Sequence, residues 1–229
     1  MHAHNFYAGF RTRYVIGIDE AGCGPLAGPV VVAGVMVNAK RKTPMLRGGA
    51  AMEGKQGKKL FEGIRDSKKL SAKQREEWFG FLTEHPDIAW AATAVSPKVI
   101  DRINIRQAAI LGARRVYARL TRVKSIERRG GIDDMDMTQY PVALLDGGLF
   151  LARHIPQETI IKGDERIPII SAASIIAKVT RDRMMLRLHQ KYPQYRFDLH
   201  KGYGTALHRE MIREFGRSDI HRASFRCHN

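Results

Sequence analysis

A short apolar strand that ends in two carboxylates is the feature that most constrains this chain. Residues 15–19 are rich in valine and isoleucine, and Asp19 and Glu20 come directly before Gly22 and Gly24. Short β-branched runs bounded by glycine favour strands over helices. An acid pair at the end of a buried strand costs free energy unless a cation or hydrogen bonds compensate it. The chain must therefore bury this strand and provide a partner for its acids.

Further short apolar runs predict the rest of a sheet. A glycine-rich turn leads to a second strand, and three more runs follow, at residues 29–37, 88–95, 140–145 and 158–161. The run at 140–145 is continuously apolar and ends in Asp146 and two glycines, which is typical of a buried strand that opens into a loop. Residues 38–63 break the pattern with glycines and basic residues, so we expect a flexible basic loop there.

Helices are predicted mainly in the second half of the chain. Ser71 and Gln74 form a capping-box pattern, and Trp78, Phe79 and Leu82 provide the apolar face of the helix that begins there. Longer helices are expected over residues 100–122, over 169–192 after Pro168, and over 205–215. Strands first and helices later indicate an α/β or α+β sheet covered by helices, with a mostly helical C-terminal part.

The composition indicates a folded, strongly basic protein. Of the 229 residues 44% are apolar, enough for a core, and the formal charge is +16. That charge indicates a polyanionic partner without separating DNA, RNA and an anionic membrane. No apolar run reaches the roughly 18 residues that cross a bilayer and the N-terminal residues show no apolar leader, so a cytoplasmic protein is expected. Cys23 and Cys227 lack a C-x-x-C partner and are expected as free thiols.

Two further carboxylates point to metal chemistry. Asp146 ends an apolar strand as Asp19 does, although a strand-end acid can simply cap a turn. Helical spacing places Asp182 on one face with Ile175, Val179, Met185 and Leu186. An inward Asp182 can pair with arginine, but the adjacent Arg181 and Arg183 do not face it. Three carboxylate sites in a basic protein suit two Mg²⁺ or Mn²⁺ ions, about 4 Å apart, that act on a phosphodiester.

Read with their neighbours, these residues resemble the type 2 ribonuclease H family, ribonuclease HII. The matching stretches are D-E-A-G-C-G-P at 19–25, D-S-K-K-L at 66–70, L-D-G at 145–147, K-G-D at 162–164, the helix segment 171–182 and H-K-G-Y-G-T at 200–205. Each stretch is weak alone, but their ordered combination, from about residue 14 to about residue 225, is highly specific.

The resemblance implies a fold and a reaction. We expect a ribonuclease H-like mixed sheet flanked by helices at 1–195, with 38–63 as an insertion, and a helical extension at 196–229 packed on the same domain. The expected activity is two-metal hydrolysis of the RNA strand of RNA–DNA hybrids and cutting 5′ of single ribonucleotides in duplex DNA, leaving 3′-hydroxyl and 5′-phosphate ends. The motifs assign metal binding to Asp19, Glu20, Asp146 and Asp182, and we interpret Asp164 as structural.

The same resemblance assigns residues to the substrate. The backbone of Gly22, Cys23 and Gly24 would sense the ribose 2′-hydroxyl, and Tyr203 would lie beside a deoxyribose, which favours cutting at RNA-to-DNA junctions. Three lysines are candidates for phosphate contacts, with solvated surface charges as the alternative: Lys68, Lys69 and Lys162.

One residue departs from the family pattern. Cys23 stands where the family usually has arginine, so a cation near the scissile region is lost while both flanking glycines remain. We predict that backbone recognition of the 2′-hydroxyl persists and that the grip on phosphate weakens or passes to a basic residue of the 38–63 loop.

Other functions fit the residues less well. Residues 22–27 match a G-x-G-x-x-A dinucleotide fingerprint, but a strand rather than a helix follows. Residues 49–55 match G-x-x-x-x-G-K, but Gln56 replaces the hydroxyl of a phosphate loop. A non-catalytic nucleic-acid binder would not need the acids, which repel phosphate unless metal neutralises them. The sister type 3 enzyme is disfavoured by the H-K-G-Y setting of Tyr203 and by the lack of a separate N-terminal binding domain. A monomer without a sliding-clamp peptide is expected.

Overall fold

A computed structural model of the chain describes residues 14–38, 60–127 and 140–226, with the side chains of 123–127 excepted. The loop expected at 38–63 therefore lies mostly outside the described residues, as does Cys227. The finding on membrane helices concerns these ranges as well, where no helix combines the length and apolarity needed to span a bilayer.

Five strands form one mixed sheet in the order β3-β2-β1-β4-β5. Their bounds are β1 Tyr14–Ala21, β2 Val30–Asn38, β3 Ala89–Val95, β4 Val142–Asp146 and β5 Gln157–Ile160. The β1, β2 and β3 strands pair antiparallel, whereas β4 and β5 continue from β1 in parallel. The predicted strands are confirmed to within about two residues at their ends.

Helices cover the sheet and make up the C-terminal part. They are α1 Ala72–Glu84, α2 Pro97–Ile103, α3 Ile105–Glu127, α4 Gly163–Arg166, α5 Pro168–Lys191, α6 Phe197–His200 and α7 Ala206–Phe215, with 3-10 turns at Ser67–Lys69 and Pro193–Tyr195. The predicted capping box of α1 is present, because Gln74 N donates to Ser71 Oγ at 3.2 Å and Ser71 N to Gln74 Oε1 at 2.9 Å.

The single helix predicted over residues 100–122 is wrong, because the structure has two helices there. Asn104 lies between α2 and α3 with φ 64° and ψ 165°, a backbone conformation that residues other than glycine rarely adopt and that interrupts the helix. Its side-chain oxygen accepts a hydrogen bond from Gln107 N at 3.0 Å and so caps the start of α3. Apolar spacing continues through this break, so periodicity alone does not reveal it.

The sheet separates two apolar layers. One face packs on α5, and the other face packs on α3. The alternation of the pleat sends Val15 of β1 toward α5 and Ile16 and Ile18 toward α3. Gly17 lets α5 approach closely, because a Cβ there would lie 2.5 Å from the carbonyl oxygen of Ile169. The α5 helix is thus held directly above the strand that carries the acid pair.

The C-terminal segment is bonded to the loop that follows β1. Leu26 N donates to Gly202 O at 2.8 Å, Gly28 N to Ile220 O at 2.9 Å, and Arg222 N to Leu26 O at 2.8 Å. Beneath these bonds a small apolar cluster joins the two regions: Ala27, Met185, Tyr195 and Phe197. The C-terminal residues therefore form part of the wall around the end of β1.

Candidate active site

Three carboxylates meet at one end of the sheet. Asp19 and Glu20 lie at the end of β1 and Asp146 at the end of β4, and the parallel register pairs Ile18 with Leu145. One oxygen from each acid lies within 4.8 Å of the others. Two of the acids are oriented by backbone donors, since Glu20 N donates to Asp19 Oδ1 and Gly163 N to Asp146 Oδ1, each at 2.7 Å.

The acids repel one another in a site with little water. Burial, followed by repulsion from Glu20 and Asp146, raises the pKa of Asp19 well above its ordinary value. Burial and the charge of Asp146 raise the pKa of Glu20 to about 7. Glu20 Oε2 is buried and has no hydrogen-bond partner among the described residues. A cluster of hard oxygen donors with an unsatisfied buried oxygen fits a divalent cation such as Mg²⁺ or Mn²⁺.

Two buried serines support Asp19 from behind. A hydrogen bond from the Ser174 side chain stabilises the charged form of Asp19, and Ser174 Oγ lies 2.9 Å from Ser67 Oγ. Both serines are almost fully buried. The sequence motifs contain these serines, but only the fold shows that α5 and the turn before α1 bring them together.

Asp182 has a different environment from the other acids. It is half-buried, it accepts a hydrogen bond from Lys178 Nζ at 2.9 Å, and it lies outside the three-acid group among the described residues. The inward face deduced from helical spacing is partly incorrect, because Leu186 is exposed and Arg181 is fully buried. The C-terminal half of α5 is covered by the loop after β1 as well as by the sheet, and this covering defines another buried face.

The glycine loop, residues 22–24, contains two glycines in different environments. Gly22 has a φ of +96°, and a Cβ there would lie 2.0 Å from Arg181 Nε, whereas a Cβ on the exposed Gly24 would meet nothing within 4 Å. Between them Cys23 donates from Sγ to Glu20 Oε1 at 3.6 Å. Burial and the charge of Glu20 raise the pKa of the Cys23 thiol to about 12, so it stays protonated at neutral pH.

The three candidate phosphate-binding lysines form one exposed patch. Lys68 pairs with Asp164 at 3.1 Å, Lys69 with Glu165 at 2.9 Å, and Lys162 lies 3.9 Å from Glu165. Lys162 precedes Gly163, whose amide binds Asp146, so the patch adjoins the acids. Asp164 is buried, and its carbonyl accepts from Ser171 Oγ at 2.6 Å. Glu165 is shared by Lys69 and Lys162, and the adjacent Asp164 pairs with Lys68, a link between the lysines that the separate motifs did not reveal.

Tyr203 lies beside α5 with 42% of its surface exposed. The centre of its ring is 5.8 Å from Lys178 Nζ and 5.5 Å from Arg181 Cζ. Its ring therefore lies next to the ion pair that contains Asp182, at the margin of the site.

Sequence reasoning missed two buried arginines, Arg181 and Arg222. Their guanidinium groups donate to backbone carbonyls of the loop after β1, Arg181 to Ala27 and Pro29 and Arg222 to Gly22, Cys23 and Gly28. In a strongly basic chain an arginine suggests a surface charge, so no signal in the sequence distinguished these two.

A mixed five-stranded sheet with acids at the adjacent ends of β1 and β4 defines a ribonuclease H-like protein. Comparisons with known proteins agree. The family model for Ribonuclease HII matches residues 16–228. A Ribonuclease HII from Chlamydia muridarum is 43% identical over 211 residues, which are 92% of this chain and 81% of that protein.

Solved structures show the same fold. The ribonuclease HII in a PCNA complex from Archaeoglobus fulgidus superposes with a TM-score of 0.64 at 26% identity, over 93% of this chain and 96% of that one. Bst-RNase HIII, solved with Mn²⁺, gives a TM-score of 0.62 at 20% identity, over 93% of this chain and 67% of that one. The chain belongs to the ribonuclease HII family. It is accordingly an endoribonuclease of the type 2 ribonuclease H class.

Proposed function

We propose that this protein hydrolyses the RNA strand of RNA–DNA hybrids and nicks duplex DNA on the 5′ side of single embedded ribonucleotides, leaving 3′-hydroxyl and 5′-phosphate ends. The observation that carries the proposal is the cluster of three acids at the ends of β1 and β4, with a buried Glu20 oxygen that has no hydrogen-bond partner among the described residues, next to a loop in which Gly24 is exposed. Membership of the ribonuclease HII family supports the activity on hybrids.

The acids would hold two divalent ions, Mg²⁺ or Mn²⁺. Asp19, Glu20 and Asp146 provide the shared oxygens, and Asp182 would join them once the ion pair with Lys178 loosens. Such ions would polarise the scissile phosphate and stabilise the attacking and leaving oxygens. Their positive charge would also lower the pKa of Glu20, which is about 7 in the protein alone, so that Glu20 is fully ionised at neutral pH.

The chain's own groups would orient the acids and the substrate. The Glu20 and Gly163 amides hold the carboxylates of Asp19 and Asp146 in place. The backbone of residues 22–24 would contact the ribose 2′-hydroxyl, since only the open side of Gly24 lets a sugar approach without touching a side chain. The lysine patch of Lys68, Lys69 and Lys162 would bind phosphates without reading the sequence.

Tyr203 would test the neighbouring sugar. Its exposed ring next to Lys178 offers a flat apolar surface on which a deoxyribose, but not a hydroxylated ribose, packs without losing a hydrogen bond to water. We further propose that residues 196–229 are an extension of the catalytic domain, that the protein acts as a cytoplasmic monomer, and that its partner is the nucleic-acid duplex.

One assay tests the reaction. Three duplexes of the same length are incubated with Mg²⁺ or Mn²⁺: one with a single ribonucleotide, one uniform RNA–DNA hybrid, and one of DNA only. We expect a nick 5′ of the ribonucleotide, cleavage along the hybrid, and no cleavage of DNA, with both activities lost in Asp146→Asn. Cleavage of all three duplexes, or persistence of cleavage in the Asp146→Asn variant, would contradict the proposal.

A matched pair of variants tests the glycine loop. Gly24→Ala adds a methyl group that meets no protein atom within 4 Å, and Gly80→Ala, in the middle of α1, does the same away from the site. We expect Gly24→Ala to keep its stability and to lose at least tenfold in kcat/KM on the single-ribonucleotide duplex, because the methyl group occupies the sugar's place. Gly80→Ala should cleave normally. Equal activity of the two variants would exclude a close approach of the sugar at Gly24.

A further inference from the structure

The loop after β1 is held from beneath by two buried arginines whose bonds all go to backbone carbonyls. Arg222 donates to Gly22 O at 2.6 Å, Cys23 O at 2.9 Å and Gly28 O at 3.0 Å. Arg181 donates to Pro29 O at 3.1 Å, Ala27 O at 3.3 Å and Lys201 O at 3.0 Å. Neither arginine forms an ion pair with a carboxylate among the described residues.

The bonds to Arg222 determine which way two amides of the loop point. In a planar trans peptide the C=O and the following N–H point in opposite directions. Because the carbonyls of Gly22 and Cys23 point at Arg222, the N–H groups of Cys23 and Gly24 point away from it. Neither of these N–H groups donates to another described residue. Arg222 thus leaves two adjacent donors directed out of the protein, next to the acids.

The residue before Arg222 is connected to Tyr203 through a chain of hydrogen bonds. Ser218 N donates to His221 Nδ1 at 3.0 Å, so the proton of His221 is on Nε2. His221 Nε2 lies 3.1 Å from His208 Nε2, and His208 Nδ1 lies 2.9 Å from the carbonyl oxygen of Tyr203. The only consistent assignment is that His221 donates to His208 and His208 donates to Tyr203.

This chain requires neutral rings, and the surroundings provide them. His208 and His221 are buried. Burial lowers the pKa of each histidine to about 4, so both are neutral at pH 7. His221 also pairs with Ala27 in an isolated bridge to the loop after β1. Of these two consecutive residues, Arg222 therefore contacts the glycine loop, and His221 is connected to Tyr203 through His208.

We propose that His221 and Arg222 are positioning residues that set the two sugar-reading elements relative to each other. Arg222 orients the N–H groups of Cys23 and Gly24 toward the ribose. His221, acting through His208, fixes the position of the Tyr203 ring beside the next sugar. Neither residue touches the substrate. The inference rests on the proposed function, because it assigns a common support to the two elements that would tell ribose from deoxyribose.

The first test uses Arg222→Lys, in which one ammonium group cannot hold three carbonyls in the geometry of a guanidinium. We expect kcat on the single-ribonucleotide duplex to fall about 10- to 100-fold, as for a displaced positioning group. Binding is measured by fluorescence anisotropy in the Asp146→Asn background, which prevents cleavage. There the preference for the ribonucleotide duplex over the DNA duplex should disappear, while affinity for the DNA duplex changes less than about threefold.

The matched control is Arg217→Lys. Arg217 donates to the carbonyls of Arg222, Ala223 and Phe225, at 3.1, 3.2 and 2.8 Å, and these three acceptors all belong to the C-terminal segment. This variant loses a similar set of guanidinium–carbonyl bonds from the same segment. It should lose stability but retain the preference for ribonucleotide. Loss of that preference in both variants would reduce Arg222 to a merely structural role.

The histidine chain is tested with His221→Phe, which keeps an aromatic ring but cannot donate to His208, and with His221→Gln, which can. The ratio of junction cleavage to uniform-hybrid cleavage should drop about fivefold in the phenylalanine variant and recover in the glutamine variant. An unchanged ratio in a folded His221→Phe protein would overturn this half of the proposal.

Amide hydrogen exchange in the wild type remains informative if Arg222→Lys does not fold. With Ca²⁺ in place of Mg²⁺, or at low temperature, exchange at Cys23 and Gly24 should slow on adding the ribonucleotide duplex and not on adding the DNA duplex. Equal exchange rates with both duplexes would contradict the proposal that these two N–H groups face the ribose. A wild type that cleaves neither RNA-containing duplex contradicts the proposed function, whereas an active wild type with an unaffected Arg222→Lys contradicts only this inference.

Discussion

The acid cluster and the arginine pair are groups of opposite charge that lie next to the same loop, and they are compensated differently. Asp19, Glu20 and Asp146 face one another, and a buried oxygen of Glu20 has no partner among the described residues. Arg181 and Arg222 direct six hydrogen bonds to carbonyls of the chain itself. Burial lowers the pKa of Arg222 to about 10, which still leaves it charged at pH 7.

This difference separates acids whose charges repel one another from arginines that find most of their partners within the chain. Carboxylates accept hydrogen bonds and repel one another, so an added cation or protonation is needed to relieve their cluster. Guanidinium groups donate to carbonyl oxygens, and the loop after β1 supplies five of the six that these arginines reach, although Arg181 Nη1 stays buried without a hydrogen-bond partner among the described residues. Changes among the acids should therefore affect activity more than folding, and changes around the arginines should affect folding as well.

The largest expected effect is that of Asp19→Asn, which keeps the shape of the side chain and removes its charge. Cleavage with Mg²⁺ should fall by about a thousandfold or more, since a shared metal ligand is lost. The metal-free variant should be more stable than the wild type, because the burial of a charge and the repulsion from Glu20 and Asp146, which raise the pKa of Asp19, are removed. Urea unfolding in EDTA measures this gain. A less stable variant would show that the cluster is not strained without metal.

Gly22→Ala tests the contact between the loop and Arg181. The added Cβ would lie 2.0 Å from Arg181 Nε at a backbone φ of +96°, so both the loop and the arginine must move. We expect a loss of roughly 3 kcal/mol or more in the free energy of unfolding, from strain and broken bonds to Arg181. Calorimetry of Gly22→Ala beside Gly24→Ala measures the difference. Equal melting temperatures would contradict the close packing of Gly22 on Arg181.

Acid pH should weaken the C-terminal support and relieve the acid cluster. His208 and His221 have folded pKa values of about 4, below their ordinary value, with His200, Arg217 and Asp219 nearby. Their contribution is complete above about pH 6.5 and is lost as the pH falls toward 4, because the unfolded chain takes up protons that the folded protein excludes. The full loss is on the order of 3 kcal/mol for each histidine.

The loss of stability from the histidines must be measured separately from the effect of the acids, because the raised pKa values of the acids make the protein more stable as the pH falls. Protonation of Asp19 and Glu20 at lower pH increases the free energy of unfolding, because the folded protein binds these protons more tightly than the unfolded chain. Urea unfolding between pH 7.5 and 4.5 is therefore done in the Asp19→Asn background, with and without His208→Gln and His221→Gln. A pH slope that the glutamines leave unchanged would exclude the histidines as its source.

The smallest effect is expected for Cys23→Arg, which restores the family's usual residue. The thiol is neutral and bonds only weakly to Glu20, so its loss should change kcat/KM less than about tenfold, with a tighter KM for the duplex. Cleavage kinetics at several salt concentrations would show the added phosphate contact as a steeper salt dependence. A large loss of activity would reveal a role for Cys23 that its contacts do not indicate.

Much of the site was predictable because its local chemistry is unusual. Acids at the ends of apolar strands indicated a shared edge of the sheet, and the parallel register of β1 and β4 brings Asp19, Glu20 and Asp146 together there. The inward orientation of Asp182 was less predictable, because helical spacing describes one buried face and α5 is covered on several sides. The roles of these acids in metal binding stay predictions, as do those of Lys68, Lys69, Lys162 and Tyr203.

The sequence by itself determined the strands, most helices, the family and the acids, since each leaves a local pattern of apolar spacing or motif order. Only the tertiary structure decided that Arg181 and Arg222 hold the loop after β1 and that His221 reaches Tyr203 through His208. The physical reason is that these bonds end on backbone carbonyls. Every residue carries the same carbonyl, so no side chain in the sequence marks where such a partner lies.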